Sequence, residues 1–281
     1  MDIHTYSSPA ALYRLAAPYL EKDEVRHNLA LGILRQLVRE EEKGKRGDAF
    51  LACGIIDDQP AVIFIQTPPR RMIICGKKQY MPEAAEWLYH NKPDTAGIAA
   101  GDEAADAFAE AWEELSPVSA KLVKRQVIYQ LDHAAEWKQP PGKLTYACED
   151  DAALVMDWTE QFAMGSLREE DLLELEERTM DEIRRNEVFF WRTPDYTPVS
   201  MAKRARELQH GVVVNYVYTP EEYERQGYAT ALVGALAERL MAEGFTFCSV
   251  NTNVENGASR SVYEKLGFEP AGISHEYSFL Q

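Results

Sequence analysis

The sequence predicts an α/β protein of the α+β kind, built from two domains. Three observations carry this. The chain has 281 residues, more than one domain of roughly 100 to 200 residues accounts for. Strand-like runs rich in Val, Ile and Phe alternate with helix-period runs, the pattern of helices packed on a sheet. Gln139-Pro140-Pro141-Gly142 interrupts both helix and ladder, which places the break between residues 1–140 and 141–281. The hydrophobic fraction of 46% lies near the globular norm and excludes a disordered or fibrous chain.

In the first half, helices are expected at Pro9 to Leu20 and Glu24 to Glu42, the second with Leu29, Ile33 and Leu37 at i+4 spacing. Its acidic end, Glu40-Glu41-Glu42, opposes the helix dipole and predicts fraying. Strands follow at Phe50 to Ile56, Ala61 to Gln66 and Met72 to Cys75, parted by Asp57-Asp58-Gln59-Pro60 and Thr67-Pro68-Pro69. A helix at Pro82 to His90, a strand at Gly97 to Ala100, a helix at Glu103 to Leu115 and a strand at Leu122 to Leu131 complete this half. The second half reads as a strand at Leu144 to Cys148, helices at Asp151 to Met164 and Glu169 to Asn186, and strands at Val188 to Arg192, Val199 to Arg204 and Val212 to Tyr218. A helix at Gly227 to Glu243, a strand at Thr246 to Asn251, a helix at Gly257 to Leu266 and a strand at Phe268 to Phe279 end it. The order β-α-α-β-β-β-α-β-α-β suits both halves, an internal duplication of architecture without obvious sequence identity.

The net charge of -16 argues against nucleic acid or anionic membrane as a partner. It is unevenly spread: residues 1–143 carry 18 basic and 21 acidic side chains, residues 144–281 carry 12 and 25. Residues 149–187 alone hold 14 acidic and 4 basic. No apolar run reaches the 18 or so residues of a membrane span, and Met1-Asp2-Ile3-His4 does not open like a signal peptide, so a soluble, cytoplasmic protein is expected. Cys53, Cys75, Cys148 and Cys248 stand far apart without CxxC pairing, which argues against zinc or a redox motif. They read as buried small hydrophobes in a reducing compartment, and no metal is expected.

The chemically informative stretch is Val212 to Pro220, the acidic Glu221 to Glu224, then Arg225-Gln226-Gly227-Tyr228-Ala229-Thr230. A β-branched strand stops, a short loop crosses over, and a Gly/Ala turn opens a helix with Leu232, Leu236 and Leu240 at i+4 spacing. Such a start offers unpaired backbone N–H groups at the positive end of a helix dipole, a site suited to a phosphate or pyrophosphate. Pro220 removes an N–H from the strand end, so the neighbouring strand is expected to splay there and free the backbone of Val217, Tyr218 and Thr219. Downstream, Cys248-Ser249-Val250-Asn251 ends a strand, and Asn256-Gly257-Ala258-Ser259-Arg260-Ser261-Val262-Tyr263-Glu264-Lys265-Leu266-Gly267-Phe268 reads as a helix with an Asn cap and a Gly stop.

These two motifs, in this order and spacing, resemble the GNAT family of acyl-CoA-dependent N-acetyltransferases over residues 144–281. The whole chain resembles bacterial two-domain members whose N-terminal half has decayed; Gln66-Thr67-Pro68-Pro69 stands where a phosphate loop should follow. The resemblance implies tandem GNAT-like folds, each a mixed, mostly antiparallel sheet flanked by helices. It implies acetyl-CoA as cosubstrate, bound by the backbone of Val217 to Thr219, by the loop of Arg225, Gln226, Gly227, Tyr228, Ala229 and Thr230, and by Asn256 on the pantetheine arm. The family motif begins with Gln or Arg where Glu224 stands here, so Glu224 should face solvent. Chemistry would be direct attack of an amine on the thioester, a backbone N–H near Val217 holding the oxyanion and Tyr263 protonating the departing thiolate.

The family's strand carboxylate is missing between Val212 and Tyr218, which leaves Glu160, Glu174 and Glu177 as conceivable bases. The two acidic helices would wall the acceptor side and favour a cationic amine, whether small molecule or lysine-bearing peptide. The competing reading is a non-catalytic CoA-binding or regulatory module. The N-terminal half is open to covering a sheet edge, completing the acceptor site or forming a homodimer.

Overall fold

The computed structural model describes residues 1–45, 47–163 and 175–280. Two compact units emerge, one from Met1–Ile128, Thr252–Glu255 and the C-terminal segment from Pro270, the other from Tyr129–Asn251 and Asn256–Glu269. The first half of the chain runs β1 (Asp2–Thr5), α1 (Pro9–Leu20), α2 (Asn28–Glu42), β2 (Phe50–Ile56), β3 (Gln59–Gln66), β4 (Met72–Gly76), α3 (Met81–Asn91), β5 (Gly97–Gly101), α4 (Asp102–Leu115) and β6 (Ser119–Leu131). The second half repeats that order as β7 (Lys143–Tyr146), α5 (Ala152–Ala163), α6 (Leu175–Arg184), β8 (Val188–Arg192), β9 (Pro198–Glu207), β10 (Gly211–Tyr218), α7 (Tyr228–Ala242), β11 (Phe247–Asn253), α8 (Gly257–Lys265) and β12 (Glu269–Leu280). Met164 and the predicted helix from Glu169 up to Glu174 lie outside the described residues. The pairing repeats as well: a meander of antiparallel strands leads to one parallel pair, β4 with β5 and β10 with β11. Among the described residues, no helix is long and apolar enough to cross a membrane.

In the first unit, α1 begins where Ser8 Oγ accepts the Ala11 N–H at 3.2 Å and Pro9 takes the first turn, where its missing donor costs nothing. The second helix starts at Asn28 rather than Glu24, because Glu21–Asp23 form a tighter 3₁₀ turn first. Its acidic end does not fray: helix runs to Glu42, and the Glu41 carboxylate accepts the Ala10 N–H at 2.9 Å. The charge that opposes its own helix dipole thus sits on the N-terminus of α1, where a carboxylate is stabilising. Strand β1, absent from the sequence reading, pairs antiparallel with β2 from Asp2↔Ile55 to Thr5↔Ala52; Asp-Ile-His-Thr carries no apolar run to betray it.

The core of this unit gathers Phe64, Met72, Ile74, Leu88, Phe108 and Trp112. It is completed by the last strand of the chain, since β12 pairs antiparallel with β5 from Ser274↔Gly101 to Ser278↔Gly97. Phe279 stacks on Trp112 with ring centroids 4.5 Å apart. Gly97 permits this approach, as a Cβ there would collide with the Tyr277 carbonyl oxygen.

The second unit packs Val155, Trp158, Ile183, Val188, Phe190 and Met201 between α5, α6 and the strands. Leu232, Leu236 and Leu240 of α7 are fully buried.

Candidate functional site

The site begins where a parallel strand pair comes apart. The register of β10 with β11 covers Gly211↔Phe247, Val212↔Cys248 and Val213↔Ser249 and stops there, although β10 continues to Tyr218. On the other edge of β10 its register with β9 shifts between Val213 and Val214 and again between Asn215 and Tyr218. Tyr216 takes the left-handed conformation at φ 51°, and Asn215 Oδ1 accepts the Tyr216 N–H at 2.8 Å. Irregularities of this kind bend and twist a strand pair. The opening therefore precedes Pro220 by several residues, which corrects the expectation that proline causes it. Ser200, which the sequence did not single out, ties down the end of the strand by donating to the Tyr218 carbonyl at 3.1 Å and sharing a 2.8 Å hydrogen bond with the Thr219 hydroxyl. The Tyr218 hydroxyl reaches Gln161 of α5.

After Thr219-Pro220 a short 3₁₀ turn, Glu221–Tyr223, leads into the loop. Arg225 at φ 59° and Gly227 at φ 86° both adopt the left-handed conformation, a turn that makes successive amides converge on one concavity. Gly227 N-caps α7 without a side-chain bond, and the first helical bond runs from Ala231 N–H to the Gly227 carbonyl at 3.0 Å. The amides of Gly227, Tyr228, Ala229 and Thr230 therefore donate to no other described residue. A Cβ at Gly227 would meet nothing within 4 Å, so the backbone is open to an approaching anion. Glu224 is exposed, and Gln226 Nε2 is held by the Glu222 carbonyl at 3.0 Å.

The last helix supplies the remaining residues. Asn256 Oδ1 accepts the Ser259 N–H at 3.0 Å, which is an N-cap bond and leaves the two Nδ2 donors for a ligand. Tyr263 is buried, its ring 6.0 Å from Tyr129 and 5.5 Å from Phe268. Burial pushes its phenol well above the ordinary tyrosine value.

Several expectations need revision. Glu160 and Glu177 are exposed on α5 and α6, and Glu174 lies outside the described residues. Cys53, Cys75 and Cys248 are buried, with thiols pushed up by desolvation to about 11, 12 and 12, but Cys148 is exposed and faces the Asp151 carboxylate at 3.2 Å. A strand-end cysteine beside an acidic turn is not a core residue. Gln66 to Pro69 joins two antiparallel strands, β3 and β4. The first repeat's counterpart of the Arg225–Thr230 loop is instead Lys77 to Tyr80, between β4 and α3, and it too has no Gly/Ala turn. No group of three or more His, Cys, Asp or Glu is placed to hold a metal ion among the described residues.

The order of elements and the strand pairing, present twice along the chain, are those of a tandem GNAT-like fold, shared with solved structures. Residues 197–278 match the family described as FR47-like protein. An acetyltransferase of the GNAT family from Colwellia psychrerythraea superposes with a TM-score of 0.65 at 12% identity, over 100% of both chains. A GCN5-related N-acetyltransferase from Sphaerobacter thermophilus gives 0.61 at 14%, over 98% of this chain and 94% of the other. A tandem GNAT protein from the clavulanic acid biosynthesis pathway gives 0.58 at 12%, over 98% of each. No curated protein gives a significant match. At these identities the likeness is one of fold.

Proposed function

We propose that the protein is an acetyl-CoA-dependent N-acetyltransferase acting on a primary amine, with residues 141–281 as the catalytic repeat and 1–140 as a degenerate one. The observation that carries this reading is the row of free amides from Gly227 to Thr230 beside the opening between β10 and β11. The amides of Arg225 to Thr230 hold the pyrophosphate, and Val217, Tyr218 and Thr219 offer their backbone to the pantetheine arm with Asn256 Nδ2.

The ammonium gives one proton to water, and the freed amine nitrogen attacks the thioester carbonyl, forming the N–C bond while the carbonyl oxygen takes the charge. A backbone N–H near Val217 steadies that oxyanion. Collapse breaks the C–S bond, Tyr263 gives its proton to the leaving sulfur, and the nitrogen then returns a proton to the phenolate, leaving the neutral amide. Its raised pKa keeps the phenol protonated at neutral pH, as a general acid requires. The acidic faces of α5 and α6 favour the approach of an ammonium group, the form in which a primary amine reaches the site.

The test is thiol release from acetyl-CoA across a panel of amines, with wild type and Tyr263→Phe. Loss of the phenol should lower kcat by about 100-fold or more, leave acetyl-CoA affinity by calorimetry unchanged, and alter the alkaline side of the rate profile. In the wild type that side should hold past the ordinary tyrosine pKa of about 10, because a raised pKa retains the proton as pH climbs. Equal rates for the two proteins would remove Tyr263 from the mechanism. Acetyl-CoA binding without turnover of any amine would support the non-catalytic CoA-binding module instead.

A further inference from the structure

The register places a set of polar side chains on one face of the catalytic repeat's sheet. Val213 pairs with Arg206 on β9 and with Ser249 on β11, and Asn215 pairs with Lys203. Side chains two apart on a strand share a face, so Arg206, Lys203, Asn215, Ser249 and Asn251 all look the same way. Helices α5 and α6 cover that face: Phe162 of α5 packs against Tyr216 at 5.0 Å, and Glu182 of α6 meets Lys203.

The charges there do not balance. Lys203 is 3% exposed, its Nζ 2.7 Å from Glu182 Oε2 and 4.8 Å from the centroid of the Tyr216 ring. Arg178 reaches the same carboxylate at 3.9 Å. Glu182 thus serves two cations, and Arg206 forms no ion pair or hydrogen bond with any described residue. Arg206 Nε, Arg178 Nη2, Ser249 Oγ and Asn251 Oδ1 are shut off from solvent without a hydrogen-bond partner. Burial pulls the Arg206 guanidinium down to about 10, which still leaves it charged at neutral pH.

Orphaned buried polar atoms are costly, and a cluster of them beside an unpaired, partly buried guanidinium asks for a ligand that satisfies them. The unmet groups specify it. A guanidinium fork fits a carboxylate through two parallel hydrogen bonds, and an amide oxygen accepts from an amine N–H. Both lie on the face that carries the bulge at Tyr216, where β10 and β11 open.

We propose that the amine acceptor also bears a carboxylate, which Arg206 binds, so that the substrate class is an amino acid or an amino-acid-like zwitterion. This rests on the acetyl-transfer reading above. It refines the preference for a cation: the acidic helix faces attract the ammonium end, and Arg206 receives the other.

Thiol release should be compared for amino acids of increasing chain length, glycine through 6-aminohexanoate, and for alkylamines of matched length. Wild type should favour at least one amino acid over its matched amine by 10-fold or more in kcat/KM. Arg206→Met should collapse that ratio toward one, and Arg206→Lys should retain part of it. Arg206→Met should also raise Tm, since it removes a buried Nε that has no hydrogen-bond partner, whereas a merely structural arginine would lower it on removal. No preference in wild type, or a preference untouched in Arg206→Met, overturns the proposal. If no amine is turned over, the acetyl-transfer reading fails and binding decides this one. Calorimetry with the matching N-acetyl amino acids should then show binding to wild type that Arg206→Met loses, and equal or absent binding in both overturns it.

Discussion

Gly227 shows what a single residue type can reveal. Its φ of 86° suits glycine, and a Cβ there would touch nothing within 4 Å, so backbone conformation alone restricts the position. Gly227→Ala should therefore cost about 1 to 2 kcal/mol of stability without a packing defect. By tilting the free amides it should weaken acetyl-CoA several-fold in calorimetry; unchanged affinity would separate the loop from the pyrophosphate. Positions of this kind were legible in the sequence because geometry restricts the residue allowed there: Gly227 at the turn, Asn256 at the cap. Lys203 and Arg206 were not. Lys203-Arg204-Ala205-Arg206 carries no spacing that marks a site, and only the covering helices make Lys203 a buried side chain.

At the scale of elements, propensity and punctuation predicted the repeated order of strands and helices, and the described elements follow it. What escaped was set by pairing. The opening of β10 from β11 coincides with two register shifts against β9, and no proline or glycine between Val212 and Tyr218 announces them. The start of α8 is the converse case, where a local signal carries two roles that experiment can part. Asn256→Ala removes the cap bond and should cost about 1 kcal/mol. Asn256→Asp keeps an accepting oxygen on the Ser259 amide while losing Nδ2, so stability should hold. If Nδ2 also contacts the pantetheine arm, both variants weaken acetyl-CoA; if Asn256 only caps the helix, Asn256→Asp binds as wild type does.

For the whole molecule, Pro140-Pro141 lies between β6 and β7, yet the compact units do not divide there and exchange segments. The unit that holds the N-terminal repeat takes Thr252–Glu255 and the C-terminal strand, and the unit that holds the opening between β10 and β11 takes Tyr129 onwards. A chain of residues 1–140 would leave β5 without the antiparallel partner that runs from Ser274 to Ser278 and strip Phe279 from Trp112. A chain of residues 141–281 would lose Tyr129, the ring beside Tyr263, and would carry β12 with no β5 to pair with. An exposed strand edge is a template for aggregation. Each fragment alone should therefore be insoluble or melt without a cooperative transition. Coexpression should restore a soluble pair, because the backbone hydrogen bonds between β5 and β12 do not require the two strands to be on one chain. Cooperative thermal melting of both fragments in isolation would mean that each repeat closes its own sheet, and that the shared strand contributes little to either.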